Sequence, residues 1–166
     1  MKIHFDTAKP TELAAIMRIE HTGFTPQEAA TSAAMADRIR FYPDTFITAK
    51  TETDQIAGYI VGPAFDHRYL TDELYEKAAP NNPSDPYQTV LSLVVDPAFQ
   101  QQGIASQLLN QLAAVAIRQG RKAITLTCLA KLVSFYERNG YKNEGVADSD
   151  HANETWFNMV KTLSQN

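Results

Sequence analysis

Apolar and polar positions alternate over residues 2–7, where Ile3 and Phe5 share one side, and this period of two predicts a first strand. Pro10 and Thr11 then open a stretch in which Leu13, Ile16, Met17 and Ile19 recur at helical spacing, interrupted by Gly23. Thr25-Pro26-Gln27-Glu28 reads as an N-cap, a proline at the first helical position and an acidic residue in the first turn. A second, alanine-rich helix is therefore predicted from there to about Arg40. After a turn at Tyr42-Pro43-Asp44, residues 46–51 and 55–64 predict a hairpin joined around Thr53 and Asp54. Residues 66–86 break the pattern: they are polar, carry Pro80, Pro83 and Pro86, and hold one short helical stretch near 70–78. A loop this long inside a compact domain is usually functional or mobile.

Residues 88–95 are rich in Val and Leu, which predicts a single buried strand ended by Pro97. A strong amphipathic helix is predicted over 103–119, with Ile104, Leu108, Leu109, Leu112, Val115 and Ala116 on one face and Gly120 as its stop. A strand over 123–128, a short helix over 132–139 stopped by Gly140, and strands over 141–147 and 154–161 complete the chain. This order describes one α/β (α+β) domain spanning 1–166, built on a mixed sheet.

Composition narrows the partners. With 44% hydrophobic and 20% charged residues the balance is globular, and a formal charge of −4 argues against a nucleic-acid partner. Arg118, Arg121, Lys122, Lys131 and Arg138 lie in the C-terminal half, where a local basic patch for phosphates can form. Cys128 is the single cysteine, so no internal disulfide and no cysteine-built zinc site is expected; it reads as a small buried hydrophobe rather than a nucleophile. His4, His21, His67 and His151 show no metal-ligand spacing, and no metal is expected. No apolar run is long enough to span a bilayer, and MKIHFDTAKP lacks the apolar core of a signal peptide, so a cytoplasmic protein without a membrane partner is expected.

The informative stretch is the strand end at Leu93-Val94-Val95, the turn Asp96-Pro97-Ala98-Phe99-Gln100-Gln101-Gln102, and the helix start Gly103-Ile104-Ala105-Ser106. Free backbone N–H groups at a helix start make an anion site, aided by the positive end of the dipole. Gly103 and Ala105 have little or no side chain, and the glutamines add neutral donors, as a pyrophosphate cradle would require. The turn lacks the Gly-Lys-Ser/Thr ending of a nucleotide P-loop and the three glycines of a dinucleotide-binding turn. Taken alone, an ordinary strand-turn-helix accounts for it equally well.

The pattern Gln100-x-x-Gly103-x-Ala105 after a Val-rich strand resembles the acetyl-CoA signature (Arg/Gln-x-x-Gly-x-Gly/Ala) of the GNAT superfamily of N-acetyltransferases. Leu132-Val133-Ser134-Phe135-Tyr136-Glu137-Arg138-Asn139-Gly140-Tyr141 is similar to that family's late helix with its tyrosine and the Gly-Phe/Tyr that follows. The resemblance covers roughly residues 45–161 and is sharpest over 90–141. Glu20-His21-Thr22-Gly23-Phe24 and Gln101-Gln102-Gly103 resemble the serotonin (arylalkylamine) N-acetyltransferase branch. Where that branch's animal members carry two histidines, Thr89 and Leu91 stand here, so its proton path does not carry over.

The resemblance implies a mixed, mostly antiparallel sheet of about seven strands flanked by about four helices, acetyl-CoA as co-substrate, and direct attack of a primary amine on the thioester. The coenzyme is then expected on Gln100, Gln101, Gln102, Gly103, Ile104, Ala105 and Ser106, with backbone groups of Leu93 and Val95 along the pantetheine arm and a backbone N–H near Val94 on the carbonyl oxygen. Tyr136 is expected to touch the coenzyme and to serve as general acid for the leaving sulfur. A phenol near pKa about 10 and a thiol near about 8.5 make that transfer uphill by about 2 kcal/mol, so it should help rather than be indispensable. For the general base, Glu20, His21, His67, Asp85 and Glu154 are candidates, with Glu20 favoured because its helix should flank the acceptor cleft. Tyr87 and Thr89 are expected along one strand face of that cleft, and Phe24, Phe41, Phe65 and Trp156 are candidates for an aromatic acceptor pocket. The acceptor is expected to be a small amine. A protein N-terminus or lysine, or a coenzyme-binding domain without catalysis, are the alternatives. A homodimer is expected by analogy.

Overall fold

The computed structural model describes residues 2–149 and 151–164. Two sheets form its frame. The first contains β1 (His4–Thr7), β2 (Phe46–Lys50), β3 (Ile56–Val61) and β6 (Ser92–Val95), in the order β1-β2-β3-β6 with every pair antiparallel. The second contains β4 (Ala64–Phe65), β5 (Tyr87–Val90), β7 (Ala123–Leu129), β8 (Lys142–Val146) and β9 (Trp156–Thr162), in the order β4-β5-β7-β9-β8, with β5 and β7 as the parallel pair. The mixed, mostly antiparallel α/β class agrees with the sequence, although more strand segments form than the seven expected. The arm at 55–64 and the run at 88–95 each divide in two.

The division of 88–95 shapes the molecule. Leu91 N–H donates to the Val61 carbonyl at 2.7 Å, while Ser92 also stands opposite Val61 in the register. This strand therefore carries one extra residue, a bulge that bends it out of one sheet and into the other. Close by, Gly62 crosses Thr89 so tightly that a Cβ there would lie 2.1 Å from the Thr89 carbonyl oxygen, so only glycine fits. Past the crossing β6 follows β3, whereas β7 stays with β5 and β9. A wedge opens between β6 and the C-terminal half of β7, whose residues 127–129 pair with β9 alone.

Helices cover both faces of the first sheet. α4 (Ile104–Arg118) buries Ile104, Leu108, Leu109, Leu112, Ala113 and Ala116 against Ile47, Ala49, Ala57 and Ile60 of the first sheet and Ile124, Leu126 and Met159 of the second. α1 (Leu13–Gly23) and α2 (Ser32–Phe41) pack Ile16, Ile19, Met35 and Ile39 on the opposite face, against Phe46, Tyr59, Val61 and Val94. Successive strand residues point to opposite faces, so Phe46 serves one core and Ile47 the other, and β2 is buried throughout. The remaining helices, α3 (Glu73–Glu76) and α5 (Val133–Arg138), are short. Among the described residues no helix is long and apolar enough to cross a membrane.

The second helix corrects the sequence reading. Thr25 does not cap a helix: its N–H donates to Glu28 Oε1 at 2.9 Å, and residues 25–29 form only a turn. Ala30 N–H, which a helix would direct to Pro26, donates instead to Glu20 Oε2 at 2.8 Å. The helix restarts at Ser32, with Thr31 Oγ1 accepting from Ala34 N–H.

Candidate active site

Asp96 closes β6 and begins the turn. Its carboxylate accepts from Ala98 N–H at 3.0 Å and from Arg18 Nη2 at 2.8 Å, tying the turn to α1. A single 3-10 turn, Pro97–Phe99, leads to Gln100, whose Nε2 donates to the Val95 carbonyl at 3.1 Å. Gln101 and Gly103 both adopt left-handed backbone, at φ 64° and 78°. Gln101, Gln102 and Gly103 are exposed, Ile104 is buried in the core, and Ala105 and Ser106 are half-buried at the helix start. The start of α4 has no side-chain cap, so its first N–H groups face outward over an exposed turn with the dipole's positive end behind them. Room is not what requires glycine at 103: an added Cβ would meet nothing within 4 Å, and the left-handed φ sets the residue type.

The strand before the turn presents a free edge to the wedge. Asp96 N–H donates to the Ala57 carbonyl at 2.8 Å. In an antiparallel ladder alternate residues turn the same way, so Val94 and Ser92 also face β3, while Leu93 and Val95 face the wedge. The bond from Gln100 to the Val95 carbonyl agrees with this. The N–H groups on the open side are those of Leu93 and Val95; the one expected near Val94 is turned into the sheet, and the Val94 side chain packs against Gly23.

The wedge leads into a cavity of about 440 Å³. Glu20, at the end of α1, stands in its wall and is almost wholly buried. Glu20 Oε1 accepts from the Tyr59 hydroxyl, and Oε2 accepts from Ala30 N–H and, at 3.5 Å, from Ser92 Oγ. Burial and the Glu20 charge together push the Tyr59 phenol well above its ordinary range, so it remains a donor. Arg38 lines the same cavity from α2. Burial lowers its pKa, and the Glu20 charge opposes that effect.

On the side of β7 and α5 the cavity is lined by Cys128 and Tyr136. Burial, reinforced by Cys128 and Tyr75, raises the Tyr136 phenol above its usual value. It stays protonated at any working pH and is a weaker proton donor than a free phenol. Burial also raises the Cys128 thiol, to about 11, which opposes a nucleophilic role.

The loop over 66–86 roofs the cavity with Leu70, Asp72, Tyr75 and Glu76. It is fastened on both sides. Arg68 donates to both oxygens of Glu144 at 2.8 and 2.6 Å, Tyr69 adds its hydroxyl at 2.7 Å, and Ser149 donates to Asp72 at 2.8 Å. Opposite, Arg38 Nη2 donates to the Tyr75 carbonyl at 3.1 Å. The Tyr75 ring stacks near His151, which neighbours Trp156.

Glu20, Leu93, Tyr136, Phe24, Trp156, Glu28, Asp72 and Lys131 thus meet around one cavity. Other candidates fall elsewhere. His67 is exposed beside Asp66, Phe65 packs on His67, Phe41 lies under Arg40, and Thr89 is buried with its hydroxyl on the Pro63 carbonyl. Arg121 holds the carbonyls of Asn82 and Asp85. Ser92 and Arg38 were not legible as site residues, although an arginine at helical spacing with Met35 and Ile39, on the buried face of α2, is a signal that could have found the second.

The acetyltransferase (GNAT) family model matches residues 13–141, and the chain belongs to that family. No curated protein matches it in sequence. Among solved structures it is similar to Ard1 from Thermoplasma volcanium (18% identity, TM-score 0.77, 99% of each chain covered). It is also similar to the GphF GNAT-like decarboxylase in complex with isobutyryl-CoA (17% identity, TM-score 0.82, 99% of this chain and 100% of that one). A third likeness is to Arabidopsis thaliana Naa50 in complex with the bisubstrate analogue CoA-Ac-MVNAL (15% identity, TM-score 0.75, 98% and 100% covered). At these identities the likeness is one of fold.

Proposed function

We propose that this protein is an N-acetyltransferase that moves an acetyl group from acetyl-CoA to the primary amine of a small molecule. The observation that carries the reading is the continuity of three features. An uncapped helix start suited to the pyrophosphate adjoins the free edge of β6, and that edge runs into the cavity holding Glu20, Ser92 and Tyr136. Two of the similar structures hold CoA compounds, which supports the choice of coenzyme.

Acetyl-CoA supplies the activated acetyl thioester. The chain does the rest. The N–H groups of residues 104–106 hold phosphate, and those of Leu93 and Val95 pair with the pantetheine arm and with the carbonyl oxygen as charge develops on it. Glu20, next to Ser92, receives the proton that the ammonium of the acceptor must lose before attack. Tyr136 directs its phenolic hydrogen to the leaving sulfur. The fastened roof supports a small acceptor over a protein N-terminus. Resemblance to the serotonin branch makes arylalkylamines the first compounds to try, with Phe24, Tyr75 and Trp156 as ring partners.

The test is a thermal-shift titration with acetyl-CoA beside Gly103→Glu, followed by an amine panel with Tyr136→Phe as control. A ligand held only by the folded state, at about 100 times its Kd, adds about 2.7 kcal/mol. The native protein should show that rise and the charged variant should lose it. Tyr136→Phe should lower kcat by about a hundredfold or less, with coenzyme affinity kept. No rise at millimolar acetyl-CoA would overturn the reading. Turnover of a peptide N-terminus, but of no small amine, would replace the acceptor.

A further inference from the structure

Arg38 is 2% exposed, yet its charge is not directly paired. Nη2 donates to the Tyr75 carbonyl at 3.1 Å, while Nη1 is buried with no hydrogen-bond partner. Among the described residues no carboxylate lies within 4.0 Å of this guanidinium. Glu20 is buried in the same wall and its charge is felt at Arg38, but its own oxygens are directed to Tyr59, Ala30 and Ser92. Buried polar atoms in native proteins nearly always have partners, and a buried charge without one is costly. A purely structural buried cation would be expected to have its charged N–H groups satisfied; Lys50, which grips Glu12 at 2.8 Å and Asp6 at 3.2 Å, shows that arrangement in this same molecule.

We infer that the acceptor carries a carboxylate beside its amine, that Arg38 receives the carboxylate, and that Glu20 faces the amine. This inference rests on the transferase reading and names its substrate class: amino acids rather than simple amines. The cavity holds two buried, opposite and unjoined charges, and a dipolar ligand answers both. An acceptor bearing only an ammonium would answer Glu20 and leave the Arg38 N–H without a partner, and a diamine would set a second cation before the guanidinium. Glu28, Asp72 and Glu76 line the cavity as well, with Lys131 and His151, so the lining is acidic on balance and Arg38 is its buried cation, the feature that selects an anionic group.

Matched acceptors test this on the native enzyme: tryptophan with tryptamine, phenylalanine with phenethylamine, leucine with isoamylamine, alanine with ethylamine. Turnover is followed by CoA release. Binding of the corresponding N-acetyl compounds to the CoA-loaded enzyme is followed by calorimetry. The carboxylate member of the preferred pair should be favoured by about 10- to 100-fold in both measurements, as expected for a charge-assisted contact. Arg38→Met should remove that preference while keeping the thermal rise with acetyl-CoA. If the variant fails to fold, the native comparison decides alone. Equal use of both members, retained preference in Arg38→Met, or coenzyme binding with neither member of any pair bound or turned over would each overturn the inference. Absence of any response to acetyl-CoA would instead bring down the transferase reading beneath it.

Discussion

The side-chain amide of Gln100 reaches back across the turn and donates to the main-chain carbonyl of Val95, 3.1 Å away. It thereby fixes the first residue after the 3-10 turn to the last residue of β6, and the Val95 N–H keeps its aim into the wedge. Gln100→Ala should weaken acetyl-CoA binding about 3- to 10-fold, the effect of one net hydrogen bond, and leave the acceptor KM unchanged. Calorimetric titration with acetyl-CoA checks it. An unchanged affinity would mean that the turn holds its shape without this bond.

Gly103 separates conformation from space. Its φ of 78° disfavours any L side chain, yet a Cβ there meets no atom. Gly103→Ala should therefore fold, with strain of about 1–2 kcal/mol and a fall in Tm of roughly 2–8 °C. Its loss in coenzyme affinity should exceed what that strain explains, because the methyl group enters the space in front of the helix start. A melting curve and a binding isotherm on the same sample separate the two effects.

The thiol of Cys128 should be inert at neutral pH. Burial holds its pKa at about 11, two units above the ordinary value of 9.0, so at pH 7.5 almost none is thiolate. Iodoacetamide should modify it only under denaturing conditions, as read by intact-mass analysis. Rapid labelling of the native protein would reopen a nucleophilic role.

The roof should loosen in acid. Arg68 and Tyr69 hold the Glu144 carboxyl down to about 2, from an ordinary 4.5. A depressed carboxylate contributes stability above the unfolded value and loses it as pH falls through the folded one, so the loss lies between about 4.5 and about 2. The pair is at the surface and contributes less than about 1 kcal/mol to global stability. The sensitive readout is therefore local. Glu144→Gln should speed proteolytic cleavage within 66–86 at neutral pH, and with an acid protease its excess over the native rate should narrow as the pH drops through that window. Equal rates at neutral pH would show that the other tethers suffice.

The long periodic helix and the turn before it were legible because their signals are local: apolar spacing, Gly103 and the glutamines. Four features were not, and in three of them the deciding partner is distant in sequence. Thr25 and Glu28 pair locally but only in a turn, and Glu20, ten residues away from Ala30, draws off the N–H that would have extended the helix. The break at Leu91 leaves no mark in an apolar run, since the extra residue is apolar too. Arg38 looks like a surface residue of an alanine-rich helix until Met35 and Ile39 are seen to share its face. The tether from Arg68 to Glu144 joins residues 76 apart, with no pattern to announce it.

The crossing of Gly62 over Thr89 has a further consequence. Backbone there is already in contact with backbone, so the two sheets cannot swing closer, and the ladders on either side keep them from parting. The angle of the wedge is set during folding. A ligand that slides into it meets a slot of settled width, and the entropy of shaping that slot has been spent before the first collision.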